Sequence, residues 1–67
     1  MNATDQAKLC KAGYIILRRM DYPSPHIKIK SKANPHSWKR CGDYYPSKAE
    51  RDRSMKRLLE SNDIIED

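Results

Sequence analysis

The sequence contains no phenylalanine and no valine, and it has only two glycines and two cysteines among 67 residues. Leucine, isoleucine, valine and phenylalanine together therefore make up only 10 of 67 residues, about 15% of the chain. Below roughly 20%, disorder becomes an alternative to a folded core. No apolar run is long enough to cross a membrane, and residues 1–12 lack the apolar segment of a secretory signal. We therefore expect a cytoplasmic protein that does not enter a membrane.

The remaining composition favours a folded chain over a disordered one. Trp38, four tyrosines and three methionines are present, and the apolar residues cluster into periodic segments. The length allows one small domain, residues 1–67. A core of this size rarely contributes more than about 3–5 kcal/mol, so a second copy of the chain is one source of additional stability.

Charge is distributed unevenly along the chain. All 14 basic residues lie between Lys8 and Arg57, whereas Leu58 to Asp67 carries four acidic residues and no basic one. A basic body with an acidic end favours an anionic partner, first of all nucleic acid. The alternative is a mixed-sign surface whose only role is to keep the protein in solution.

The periodicity and the turn residues predict an α+β fold with the order α-β-β-β-α. A short N-terminal helix over residues 3–12, capped by Asn2 or Thr4, ends at Gly13. Three strands over residues 14–20, 26–32 and 38–44 form an antiparallel sheet, with a bulge at Gly42. A C-terminal helix over residues 48–61 begins with the capping box Ser47-Lys48-Ala49-Glu50. Residues 63–67 are either an acidic tail or a final turn or strand.

The strand pattern also predicts which side chains are buried. In residues 26–32, Ile27 and Ile29 point inward, while Lys28, Lys30 and Lys32 point to solvent. The C-terminal helix has a narrow apolar stripe that includes Ala49, a basic remaining face that includes Arg51, and an Asp52–Lys56 ion pair. The predicted core against this helix is Ile15, Leu17, Ile27, Ile29, Trp38, Met55, Leu58 and Leu59.

The motifs that support enzymatic chemistry are missing from the sequence. No nucleophile motif, glycine-rich phosphate loop or isolated acid pair is present. Cys10 and Cys41, taken with His26 and His36, match no familiar zinc spacing, and two reduced thiols fit better than a disulfide. We expect no enzymatic activity, no cofactor, no metal and no small-molecule substrate.

Nucleic-acid binding is the function that the charge pattern favours most. Cations on the strands can neutralise phosphates, and Trp38, Tyr44 or Tyr45 can stack on unpaired bases. The alternatives are a Trp38 buried beneath the helix and a lysine row that protects an edge strand from aggregation. The candidate binding residues are Arg18, Arg19, Lys28, Lys30, Lys32, Lys39 and Arg40.

The segment from Trp38 through Tyr45 and into Ser47-Lys48-Ala49-Glu50 resembles the arm-DNA-binding domain of tyrosine recombinases. Those modules are three-stranded sheets with a helix, and their sheet enters the major groove of DNA. The resemblance covers about 25 residues by the spacing of a strand followed by a capped helix. It implies DNA contacts from Lys28, Lys30, Lys39 and Arg40. The predicted N-terminal helix and the paired prolines depart from that family, and so does the expectation that no catalytic domain follows. The chain also resembles many small bacterial proteins, a likeness that implies no mechanism.

A third class of function is protein interaction or homodimerisation without nucleic acid. The first strand is apolar on both faces, so a second copy could cover Tyr14, Ile16 and Met20. The alternative is that the N-terminal helix covers this face within one chain.

Overall fold

The computed structural model describes all 67 residues, and these form two helices and four strands joined by turns. The strands form one sheet in the order β3-β2-β1-β4. The α+β fold is confirmed. None of the helices has the length and apolar character needed to cross a membrane. The elements in chain order are α1 (Ala3–Lys11), β1 (Ile15–Met20), β2 (His26–Ser31), β3 (Asn34–Arg40), α2 (Lys48–Leu58) and β4 (Ile64–Glu66).

The predicted three-stranded antiparallel sheet is wrong because residues 64–66 add a fourth strand. β4 runs parallel to β1, with Ile15 opposite Ile64 and Ile16 opposite Ile65. The two isoleucines near the end of the chain therefore extend the apolar rows of β1, and the sheet becomes mixed. A parallel neighbour requires a long crossover connection, which here contains α2.

The two helices cover opposite faces of the sheet. Leu17 and Ile27 of the sheet and Met55 of α2 form a buried cluster on one face. On the other face, Ile16 is fully buried, as are Ala7 and Cys10 of α1. The face of β1 that motivated a homodimer is therefore covered largely within one chain.

The predicted core is confirmed in part. Leu17, Ile27 and Met55 are buried, and Ile15, Ile29, Leu58 and Leu59 pack around them. The prediction that Trp38 belongs to this core is wrong, because Trp38 lies half-buried on the α1 face and not beneath α2. On α2, Ala49 is exposed while Arg51 is buried.

Arg51 packs toward the sheet because its guanidinium has partners there. It donates to the Met20 carbonyl at 2.7 Å and to the carboxylates of Asp21 and Asp52. Asp52 is thereby engaged with Arg51 and Arg19, and the predicted Asp52–Lys56 pair is wrong.

The third strand begins earlier than its pattern predicts. β3 starts at Asn34 and includes Pro35, because β3 is an edge strand and a missing N–H there need not interrupt the ladder. Gly42 lies beyond the strand with a φ of 78°, so the predicted bulge is wrong at that position. The irregularity of the ladder falls instead where Ser31 pairs with Asn34 but Ile29 pairs with Lys39, so the extra residues lie within β3.

Side-chain caps define the start of each helix. The Asn2 side chain accepts a hydrogen bond from the Asp5 amide at 2.8 Å, and Ser47 Oγ accepts one from the Glu50 amide at 3.2 Å. The Glu50 carboxylate lies 3.8 Å from Arg53, so only half of the capping box forms. Gly13 follows α1 with a φ of 106°, as predicted for a left-handed stop.

Candidate nucleic-acid interface

Three cations form a line across the sheet on the α1 side. Arg18 of β1 is opposite Lys28 of β2, and Lys28 is opposite Arg40 of β3. Directly opposed residues of antiparallel strands share a face, with their Cβ atoms about 5 Å apart. We call Arg18, Lys28 and Arg40 the cation row. It lies beyond the part of this face that α1 covers, since Arg40 is exposed and Lys28 and Arg18 are half-buried.

Aromatic rings hold the two arginines of the cation row in place. The Arg18 guanidinium carbon lies 4.4 Å from the centroid of Trp38, and that of Arg40 lies 4.5 Å from the centroid of Tyr44. The edge of Tyr44 also meets the ring of His26 at 82°. Guanidinium groups stacked in this way are attracted by the ring quadrupole, so the row is a partly ordered cationic surface.

Acidic residues neutralise only one end of the cation row. Arg18 Nε donates to Asp67 at 2.8 Å. Neither Lys28 nor Arg40 has a carboxylate within 4.0 Å, and Arg40 Nε donates to the Gly42 carbonyl at 2.9 Å. Like charges directly opposite each other destabilise a strand pair. An anion bound between Lys28 and Arg40 would remove this repulsion.

Lys30 was predicted to face solvent, and this is wrong. Lys30 is only 5% exposed because α1 lies over this end of the face. Lys30 Nζ donates to Gln6 Oε1 at 2.8 Å and lies 4.9 Å from the centroid of Trp38. Gln6 Nε2 in turn donates to Asp67 Oδ1 at 2.7 Å. Lys30 therefore links α1 to the sheet and is not available to a ligand.

The other predicted binding residues lie elsewhere. Arg19 lies on the α2 face, where it pairs with Glu66 at 3.0 Å and with Asp52 at 3.6 Å. Lys39 is opposite Ile29 on that same face, exposed and without an ion pair. Lys32 is exposed in the turn between β2 and β3. The structure thus brings together three of the seven candidates.

A basic groove between α1 and β3 was not predicted from the sequence. It has a volume of about 310 Å³ and is lined by Ala3, Thr4, Ala7, Lys8, Lys11 and His36. Lys8 and Lys11 are three residues apart on one side of α1, and the sequence suggested only that they suit the helix C-terminus. Their spacing is the signal that could have indicated a shared surface.

The two cysteines are free thiols on opposite faces of the sheet. Cys10 is fully buried on the side of α1 that faces the sheet, and this burial raises the pKa of its thiol. Cys41 is half-buried against the Leu17–Ile27–Met55 cluster. No group of three or more histidine, cysteine or acidic side chains is placed to hold a metal. His26 is buried, with its Nδ1 2.7 Å from the Ser24 carbonyl oxygen, so it is bound within the fold.

The Asp67 carboxylate gives a testable pH dependence. Hydrogen bonds from Arg18 and, less strongly, from Gln6 lower the pKa of Asp67, against the opposing effect of burial. A lowered pKa in the folded state stabilises the fold above the unfolded value of about 3.9, and this contribution is lost as the pH falls through the folded value. We expect Asp67→Asn to be less stable than the natural protein at neutral pH and to lose less stability between about pH 5 and pH 2.

Urea denaturation at several pH values measures this effect. Asp21, whose pKa is also lowered, chiefly by its hydrogen bond from Arg51, accounts for part of the fall that remains in the variant. Asp43→Asn is the matched control, since that residue is exposed and has no ion pair. Equal pH dependence in Asp67→Asn and the natural protein would show that Arg18 and Asp67 are not paired.

Comparison with protein-family models, with curated proteins and with solved structures finds no match for this chain. The resemblance to the recombinase arm-DNA-binding domain therefore rests on the residues alone. Of the four contact positions that it implies, only Lys28 and Arg40 share an accessible face. Lys30 is buried, and Lys39 lies on the other side of the sheet.

Proposed function

We propose that this protein binds nucleic acid, mainly through phosphate contacts at the cation row. The observation that carries the proposal is the opposition of Lys28 and Arg40, which share a face without any carboxylate in reach. A bound phosphate converts their mutual repulsion into two favourable contacts. Trp38 and Tyr44 support the proposal, because they order the arginines beside that position.

The distribution of the other charges favours a polymer over a single small anion. Cations without an ion pair extend from the cation row to the α1–β3 groove and to the β2–β3 turn, at Lys8, Lys11 and Lys32. Acidic partners concentrate at the opposite edge of the sheet, where Glu66 and Asp67 meet Arg19 and Arg18. A basic edge with several separate cations fits a chain of phosphates.

A salt-dependent titration tests this proposal. Fluorescently labelled random-sequence duplex DNA, single-stranded DNA and RNA are each titrated with the protein, beginning at about 50 mM salt, where electrostatic attraction is strong. We expect affinity to fall steeply as salt increases. Replacing Lys28 and Arg40 together with alanine removes two phosphate contacts, so the logarithmic salt slope for duplex should decrease by about 1.8.

The matched control carries the same loss of two charges on α2. Arg53 and Lys56 are exposed there, and replacing both with alanine should leave the salt slope unchanged. Equal effects from the two double variants would mean that net charge alone attracts the nucleic acid, and the proposal would be wrong. No binding at about 50 mM salt would also contradict it. Protein interaction or homodimerisation would then take its place, and sedimentation would test whether the 7.9 kDa chain remains a monomer.

A further inference from the structure

We infer that the nucleic acid bound here is a single strand that follows β3 on its α1 side, an inference that rests on the proposed function. His36, Trp38 and Arg40 of β3 all lie on the α1 side of the sheet. His36 lines the groove with α1, the Trp38 ring contacts Arg18 and Lys30, and Arg40 is opposite Lys28. They present an imidazole, an indole and a guanidinium in succession. Surfaces that bind single-stranded nucleic acid likewise combine positively charged groups with aromatic rings on which bases stack.

The α1–β3 groove continues this path at the His36 end. Lys8 and Lys11 of α1 and His36 of β3 line it, and no carboxylate contributes to its walls. α1 stands above the sheet at this position and covers Lys30 and Ile16. The surface is therefore a step between a helix and an edge strand, which a flexible single strand can follow. The major groove of duplex DNA is read by an inserted helix or two-stranded ribbon, whereas the residues named here line a groove beside α1.

Tyr44 provides an exposed ring at the other end of the path. It is 46% exposed although Arg40 stacks on it and His26 meets its edge. A base that stacks on this ring would place its phosphate near Arg40 and Lys28. Unpaired bases can reach such a ring, whereas bases inside a duplex cannot.

The test compares a single-stranded oligonucleotide with its duplex at the same length and salt. We expect tighter binding of the single strand. Tyr44→Leu should weaken single-strand binding by about fivefold or more, the effect of losing one stacked base. It should weaken duplex binding less, because a duplex loses only the ordering of Arg40 by the Tyr44 ring. Tyr44→Phe should restore single-strand binding. Replacing Lys8 and Lys11 together with glutamine should lower the single-strand salt slope by about 1.4.

Matched controls separate stacking and groove contacts from general effects. Tyr14 is 39% exposed and lies beside Asp63, outside both the cation row and the α1–β3 groove, so Tyr14→Leu should not change binding. Arg53→Gln with Lys56→Gln should not change the slope. Trp38 is the only tryptophan, so quenching of its fluorescence by the single strand and not by the duplex gives a second readout that needs no variant.

The outcomes distinguish this inference from the function on which it rests. If neither form binds at about 50 mM salt, the proposed function itself is wrong. If the duplex binds as tightly as the single strand and Tyr44→Leu affects the two forms equally, phosphate binding stands and the single-strand inference is wrong. If Lys8 and Lys11 can be replaced without effect, the strand does not follow the α1–β3 groove, and the proposed path is wrong.

Discussion

Replacing Met55 with alanine is expected to remove most of the folding stability of this protein. Met55 of α2 is fully buried against Leu17 and Ile27. Truncating a buried methionine costs about 2–5 kcal/mol, because transfer energy is lost and a cavity remains. A domain of this size has only about 3–5 kcal/mol of core stability to lose. Urea denaturation followed by circular dichroism measures the change in unfolding free energy.

Two further variants show whether volume at this position is the cause. Met55→Leu conserves volume and should cost less than about 1.5 kcal/mol. Lys56→Ala alters the next, exposed residue and should stay within about 0.5 kcal/mol of the natural protein. A Met55→Ala cost below about 1 kcal/mol would mean that the cluster around Leu17 does not hold α2 on the sheet.

The second large effect is expected at the buried pair of Gln6 and Lys30. Gln6→Leu removes the acceptor for Lys30 Nζ and leaves a buried ammonium group beside the Trp38 ring alone. We expect a loss of about 2–3 kcal/mol. Lys30→Met leaves Gln6 Oε1 without its donor and should cost about 1–2 kcal/mol.

Combining the two changes provides the decisive comparison. When both polar partners are replaced by apolar side chains of similar size, the pair can be nearly neutral. The double variant also loses the hydrogen bond from Gln6 to Asp67, so it should not equal the natural protein but should lose no more stability than Gln6→Leu alone. A double-mutant cycle should show a coupling of about 1 kcal/mol or more. If the two single losses simply add, Gln6 and Lys30 do not interact in solution.

The elements with strong local signals could be predicted from the sequence. Ser47 begins α2 because its hydroxyl caps the helix, and Gly13 follows α1 because its backbone is left-handed. Ile27 and Ile29 alternate as a half-buried strand, and both contribute to the Leu17 cluster. These features depend on residues within a few positions of each other, and such interactions are visible in a linear pattern.

The features that were missed depend on residues distant in sequence. Lys30 alternates with isoleucines and so resembles a solvent-facing lysine, yet Gln6 on α1 supplies its partner and α1 supplies its cover. Arg51 is buried because Met20 and Asp21 at the end of β1 accept its hydrogen bonds. The cation row required the register of three strands, which composition and spacing do not specify.

The candidate site could be predicted from the sequence only in part, because it too depends on pairing between residues that are distant in the chain. Arg18, Lys28 and Arg40 were all candidates by charge, and so were Arg19 and Lys39. The register places Arg19 and Lys39 on the α2 face, where Glu66 pairs with Arg19. Charge alone could not divide the seven residues between two faces, because the direction of each side chain depends on which strands are paired and how.

The parallel pairing of β4 with β1 has a consequence for the order in which the chain assembles. β1, β2 and β3 follow one another along the chain and meet through short connections, so closing those loops costs little entropy. β4 reaches β1 only after the long connection through α2, and it pairs there with just three residues of β1. β1, β2 and β3 can therefore pair with one another first, and β4 then docks last. Until that step, Arg18 and Arg19 lack Asp67 and Glu66 as counter-ions. Arrival of the final strand then both completes the sheet and neutralises its central arginines.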